Sequence, residues 1–118
     1  MKLSIIIPCF NEIKTIEKVI DRINKIKIKK EIIIVDDCSS DGSRELIKKI
    51  KKKYYKAIFH KQNLGKGAAI KSAKKHVTGQ IIIIQDADLE YSPKEYKKLI
   101  KPILDNKTNV VYGSRVLG

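Results

Sequence analysis

The chain has 118 residues, enough for one modest core, and a globular balance of 42% hydrophobic and 33% charged residues. Its formal charge is +13, carried mostly by lysine, with arginine only at Arg22, Arg44 and Arg115 and no tryptophan. That profile admits an anionic membrane surface as a partner, and it argues against nucleic acid, whose readers favour arginine forks and interleaved aromatics. Two cysteines are too few for a disulfide scaffold and read as reduced thiols of a cytosolic chain. No stretch approaches the roughly 20 apolar residues of a membrane span, and the short apolar run after Met1 falls below the length of a signal core.

The first element is a strand over 3–7, "LSIII", closed by Pro8, Cys9, Phe10, Asn11 and Glu12. A helix follows over 12–26, with Ile13, Ile16, Val19, Ile20 and Ile23 on one face. The second strand, 31–37, runs into Asp36-Asp37-Cys38-Ser39-Ser40-Asp41-Gly42, and the second helix spans 43–54 around Leu46, Ile47 and Ile50. A weaker strand over 56–60 leads to Asn63-Leu64-Gly65-Lys66-Gly67, which opens a helix over 67–77. The fourth strand, 80–85, ends in Asp86-Ala87-Asp88-Leu89-Glu90; a helix over 93–104 starts on Pro93, which suits a first turn. A strand over 109–113 ends in Gly113-Ser114-Arg115. The aliphatic runs are continuous rather than alternating, as in parallel strands covered on both faces. Strand and helix alternate, so the chain is expected to be an α/β domain with a mostly parallel sheet, one domain over 1–118.

Open α/β sheets bind ligands beyond the carboxyl ends of their strands, and all five polar, acidic or glycine clusters fall there. Asp-x-Asp after a buried strand supports three readings: hard oxygen ligands for Mg²⁺ or Mn²⁺, a phosphatase-like nucleophile pair, or a polar loop. The nucleophile pair would call for Thr or Val at position 90, where Glu stands. Asp36-Asp37 is unlike a receiver-domain acidic pair because another strand precedes it. The glycine loop could present amides and a lysine to an anion, but it matches neither the Walker A spacing nor a dinucleotide fingerprint.

In order and spacing, "SIIIPCFNE", "EIIIVDDCSSDGS", "NLGKGAAIKSA", "IIIIQDADLEYSPKEY" and "VVYGSR" resemble the family 2 glycosyltransferases of GT-A fold. Within them they most resemble the polyprenyl-phosphate branch, similar to dolichol-phosphate mannose synthases, over nearly the whole chain. The resemblance implies a three-layer, Rossmann-like fold and a nucleotide-sugar site. Pro8, Phe10, Asn11 and Glu12 would hold base and ribose, with Phe10 where tyrosine is common. Asp36 and Asp37 would read the nucleoside, and Gly65, Lys66 and Gly67 would close over it. Asp86 and Ala87 would meet the donor. Asp86 and Asp88, with Glu90 where glutamine is frequent, would bind Mg²⁺ or Mn²⁺, and Asp88 and Arg115 would act in catalysis, Arg115 on the acceptor phosphate. The implied activity is inverting transfer of a sugar from a GDP- or UDP-sugar to a polyprenyl phosphate at the cytoplasmic membrane face. Family domains continue past the Gly-Ser-Arg strand, so the chain reads as a nucleotide-binding half whose acceptor half is absent. The alternatives are a nucleotide-sugar-binding module without turnover and transfer to a saccharide hydroxyl in cell-envelope polysaccharide synthesis.

Overall fold

A computed structural model describes residues 2–88 with side chains and the backbone of 110–112 and 115–116. The strands are β1 (Leu3–Cys9), β2 (Lys30–Asp36), β3 (Lys56–Phe59), β4 (Ile81–Ile84), β5 (Val110–Tyr112) and β6 (Arg115–Val116); the helices are α1 (Ile16–Asn24), α2 (Ser43–Lys49) and α3 (Lys66–Lys74). The helix expected over 93–104 lies outside the described residues. The sheet order is β3-β2-β1-β4-β5-β6, with parallel pairing from β3 through β5 and an antiparallel last pair. The parallel α/β sheet is thus as expected. β6 is a strand the sequence reading missed: Arg115, assigned to a strand-end loop, pairs with Tyr112 across β5–β6.

The continuous isoleucine runs follow from burial on two faces. Leu3, Ile5 and Ile7 of β1, with Ile32, Ile34, Ile81 and Ile83, pack with Ile16, Val19, Ile20 and Ile23 of α1 and with Ile47 of α2. Ile6, Ile33, Val35 and Ile84 turn to the opposite face, against Ala69 and Ala73 of α3. Three layers result, each buried isoleucine contributing about 1.5–3 kcal/mol of transfer free energy. Small alanines on α3 let that helix lie close to the sheet. Pro8 fits inside β1 because β4 ends its pairing at Ile6↔Ile84. The Ile6 carbonyl accepts from Gln85 on that side and the Cys9 carbonyl from Asp37 on the other. Pro8 therefore turns its missing N–H toward the β4 side, where the ladder has stopped.

Two helices are shorter than their apolar periodicity. α1 begins at Ile16, and Ile13 is 38% exposed rather than part of the buried face. Residues 13–15 form a turn instead, closed by the Thr15 and Ile16 amides on the Glu12 carbonyl (3.1 and 2.9 Å), with the Ile13 amide held by Asp41. α2 ends at Lys49, followed by a 3-10 turn over Lys51–Lys53. That turn is fastened by Asn24 Nδ2 to the Lys53 carbonyl (2.9 Å), by Lys53 Nζ to Glu17 and Asp21 (2.9 and 2.8 Å), and by the Tyr54 hydroxyl to the Ile47 carbonyl (2.9 Å).

At the amino ends of the strands, Glu31 is buried in a polar knot. Its carboxylate accepts from Ser4 Oγ (2.7 Å), Thr78 N (2.6 Å) and Thr78 Oγ1 (2.6 Å), and Lys2 Nζ stands at 3.1 Å. Gly79 donates to Ser4 Oγ at 2.8 Å, and a Cβ at Gly79 would lie 2.8 Å from the Lys2 carbonyl and the Ser4 nitrogen. Burial raises the Glu31 pKa, but the bonds from Thr78 and Ser4 outweigh it and bring it from 4.5 down to about 2. A depressed carboxylate stabilises the fold above its unfolded value and loses that contribution as pH falls through the folded one. About 3 kcal/mol of stability is therefore expected to disappear between roughly pH 4.5 and pH 2. Denaturation midpoints should fall over that window more steeply in the native chain than in Glu31→Gln, which keeps only the losses from other depressed carboxylates such as Asp37 and Asp41, measured relative to each protein at pH 6.

Candidate functional site

The direction of chain progression reverses between β1 and β4, the neighbours at the centre of the sheet. Such a switch point leaves a crevice at the carboxyl ends of the two strands. Here it is a cleft of about 180 Å³ lined by Pro8, Cys9, Phe10, Glu12, Asp37, Lys66, Ala69, Asp86, Ala87 and Asp88. Three of the four described strand-end loops contribute, together with the start of α3. Phe10 presents its ring at 47% exposure, unusual for a phenylalanine beside a polar cleft. Cys9 brings no thiolate: burial and the charge of Asp36 push its thiol up to about 12.

The loops are sewn together. The Asn11 amide donates to Ser39 Oγ (2.9 Å) and its side-chain oxygen accepts from Ser40 N (2.8 Å). The Glu12 amide donates to Ser43 Oγ (3.1 Å). Asp41 accepts from Ile13 N (3.1 Å) on one oxygen and from Ser43 N and Oγ (2.9 and 2.6 Å) on the other. Burial raises the Asp41 pKa, and the Ser43 and Ile13 bonds override it to leave the carboxyl below its usual range. Gly42 sits at φ +100°, where a Cβ would also strike Ile13. Asn11 thus spends its side chain on the frame of the site.

The acidic pair divides. Asp36 is fully buried and does not line the cleft; its Oδ2 accepts from Ser39 N (3.0 Å) with Arg44 Nε at 3.8 Å. Asp37 lines the cleft but turns both oxygens into the protein. Oδ1 accepts from His60 Nδ1 (2.9 Å) and Leu64 N (2.8 Å), and Oδ2 from Gly65 N (2.8 Å). Burial raises the Asp37 pKa; the Leu64, His60 and Gly65 bonds prevail and hold it below the usual carboxylate range. Gly65 takes φ +94°, a conformation glycine adopts without strain, whereas Gly67 is exposed with open space where a Cβ would stand. Neither glycine is among the residues lining the cleft; Gly65 makes the turn that leads into Lys66 and α3.

Lys66 Nζ donates to Asp86 Oδ1 at 2.5 Å across the cleft. The Asp86–Asp88 turn is anchored from α1: Thr15, at the position before the helix, makes no cap bond and gives its hydroxyl to the Ala87 carbonyl at 2.7 Å. This contact, and His60, were missed in the sequence because both depend on neighbours more than 20 residues away. Among the described residues no group of three or more His, Cys, Asp or Glu side chains is arranged to hold a metal. Asp86 and Asp88 supply hard carboxylate oxygens beside an anion-attracting lysine, which fits Mg²⁺ or Mn²⁺ provided a diphosphate completes the shell. Glu90, the third expected ligand, lies outside the described residues, as do the Arg115 side chain, Gly113 and Ser114.

Comparison with known proteins adds the context. The profile described as "Glycosyl transferase family 2" matches residues 4–118. Dolichol-phosphate mannosyltransferase of Pyrococcus furiosus is 34% identical over 118 residues, 98% of this chain and 33% of that protein. Undecaprenyl-phosphate 4-deoxy-4-formamido-L-arabinose transferase of Salmonella choleraesuis is 35% identical over 106 residues, 84% of this chain and 32% of the relative. A mannosyltransferase of Pyrobaculum calidifontis, solved with GDP-Man and Mn²⁺, superposes with a TM-score of 0.76 at 26% identity, over 86% of this chain and 32% of that one. The chain spans about a third of the length of these proteins. The fold is that of the GT-A nucleotide-sugar transferases.

Proposed function

The chain belongs to glycosyl transferase family 2, and from that premise we propose that its cleft is the donor site of a polyprenyl-phosphate sugar transferase. The observation that carries the reading is the meeting of Phe10, Lys66, Asp86 and Asp88 in one cleft at the switch point of the sheet. The exposed Phe10 ring gives a nucleobase a stacking face. Glu12 stands at the same rim for the ribose, and Asp37 fixes the loop that would close over the nucleotide. Asp86 and Asp88 would hold Mg²⁺ or Mn²⁺, with Glu90 as a further ligand; the ion supplies positive charge to the donor diphosphate. Relatives that act on dolichol and undecaprenyl phosphates, and a neighbour solved with GDP-Man and Mn²⁺, support this assignment.

The reaction is a single displacement. An acceptor phosphate oxygen forms a bond to the anomeric carbon as the bond from that carbon to the nucleoside diphosphate breaks, inverting the centre. The acceptor oxygen is already anionic near neutral pH, so no base need remove a proton; it needs a cation for orientation, the role of Arg115. Lys66, held at the cleft by the glycine loop, would balance negative charge growing on the departing diphosphate. In this state Lys66 neutralises Asp86, so donor binding exchanges that ion pair for contacts with the diphosphate. A polyprenyl-phosphate acceptor would bring the protein to the cytoplasmic membrane face, where a charge of +13 favours anionic lipid.

Transfer is tested by supplying GDP- and UDP-sugars with Mn²⁺ and a short-chain polyprenyl phosphate. The expected product is the glycosyl lipid phosphate, formed with one of the two nucleotides and lost with EDTA. Tight donor binding with no product would keep the donor site and remove the transfer.

A further inference from the structure

We propose that His60 is a positioning residue of the cleft: its imidazole, clamped between Asp37 and Ser72, sets the loop that seats Lys66 against Asp86. The ring is held at both nitrogens, Nδ1 2.9 Å from Asp37 Oδ1 and Nε2 2.8 Å from Ser72 Oγ. Its backbone is equally fixed. The His60 amide donates to the Asp36 carbonyl at 2.9 Å, and Arg44 donates to the His60 carbonyl at 3.0 Å. One residue, 8% exposed, therefore ties β2, α2 and α3 together behind the site.

The direction of the Asp37 bond follows from chemistry. An ionised carboxylate only accepts, so Nδ1 carries the proton donated to Asp37. A neutral ring then offers Nε2 as an acceptor for the Ser72 hydroxyl. The same Asp37 carboxylate accepts from Leu64 and Gly65, the two residues just before α3. Rotating the carboxylate would break both amide bonds, and Gly65 at φ +94° has no stiffness of its own to hold the turn. Lys66 is the next residue, and its ammonium reaches Asp86. His60 therefore acts on the diphosphate end of the cleft through Asp37, without touching it. The consequence for nucleotide binding rests on the donor-site reading; the effect on the loop does not.

The experiment compares amide hydrogen exchange at Leu64 and Gly65 in the native chain, His60→Asn, His60→Gln and Ser72→Ala, without ligand. Asparagine places its side-chain NH₂ where Nδ1 stands, and glutamine places its own nearer Nε2. His60→Asn should keep protection within about threefold, whereas His60→Gln should raise exchange at those two amides on the order of tenfold, one hydrogen bond's worth. Ile5–Ile7 in β1 should be unaffected in both. Ser72→Ala, which frees the ring to turn, should fall between them. Equal exchange in the Asn and Gln variants would overturn the proposal. So would nitrogen NMR of the native imidazole showing Nδ1 unprotonated, a measurement that needs no variant to fold. GDP and UDP affinities with Mn²⁺ should follow the same order. If the native chain binds neither nucleotide, the donor site fails, and the exchange order still decides the role of His60.

Discussion

Asp86→Asn/Asp88→Asn is expected to weaken Mn²⁺-dependent binding of a nucleoside diphosphate by about a hundredfold or more while leaving the fold intact. Neutralising both carboxylates removes the hard anionic donors that make the cleft attractive to a divalent ion, and lost ligands cost at least as much as the 10–100-fold of their supporting neighbours. The stability cost should be small for a separate reason. Lys66 and Asp86 have side chains 48% and 29% exposed, and an ion pair that open to water contributes roughly 0–1 kcal/mol. The Asp86–Asp88 turn keeps its main anchor, because Thr15 bonds the Ala87 carbonyl rather than either carboxylate. Calorimetric titration with GDP and UDP, with Mn²⁺ and with EDTA, separates the effects. An unchanged affinity would remove the carboxylates from the site, and a lowered melting temperature would show that they hold the fold.

Asp37→Ala is expected to do the reverse, costing stability first and binding as a consequence. Asp37 is buried, and its carboxylate satisfies His60 and the amides of Leu64 and Gly65 at once. Alanine leaves the buried imidazole and two part-buried amides without their acceptor, at about 2–4 kcal/mol. The loop before α3 should open locally, carrying Lys66 away from Asp86. The pH dependence has a definite sign. Asp37 sits below its ordinary pKa of 3.8 in the fold, so its contribution is present above that value and is lost as pH falls below it. Urea midpoints at pH 7 and pH 3 should therefore converge between the native chain and Asp37→Ala. A constant difference across that range would mean that Asp37 is not the charged anchor of the loop.

What the sequence made legible was the placement of chemistry along the strands. Continuous isoleucine runs announce a parallel sheet, and the acidic and glycine clusters fall at its carboxyl edge because polar backbone must surface where strands stop. What it hid were choices made by distant partners. Asp36 and Asp37 are adjacent and chemically identical, yet one is sealed under Ser39 while the other spans to His60 and Leu64. Alternation along β2 separates them, and only the position of β3 and α3 decides which faces the cleft. Asn11 looks like a polar ligand in "PCFNE" and proves to be a turn residue bonded to Ser39 and Ser40. Thr15 falls inside the helix expected over 12–26, yet it stands just before α1 and its hydroxyl bonds a carbonyl 72 residues away. Arg115 looks like the end of a strand and begins another. Local pattern determines where an element lies; side-chain direction is set by contacts that close only in three dimensions.

The most direct test of the donor site is Mn²⁺ titrated into the nitrogen-labelled chain with GDP or UDP while backbone amide signals are followed by NMR. Paramagnetic broadening should begin at residues 86–88 and spread to 9–12 and 65–67, only when the nucleotide is present, and should vanish in Asp86→Asn/Asp88→Asn. Broadening centred on Glu31 at the opposite end of the sheet, or none around Asp86 with either nucleotide, would contradict a metal–diphosphate site in this cleft.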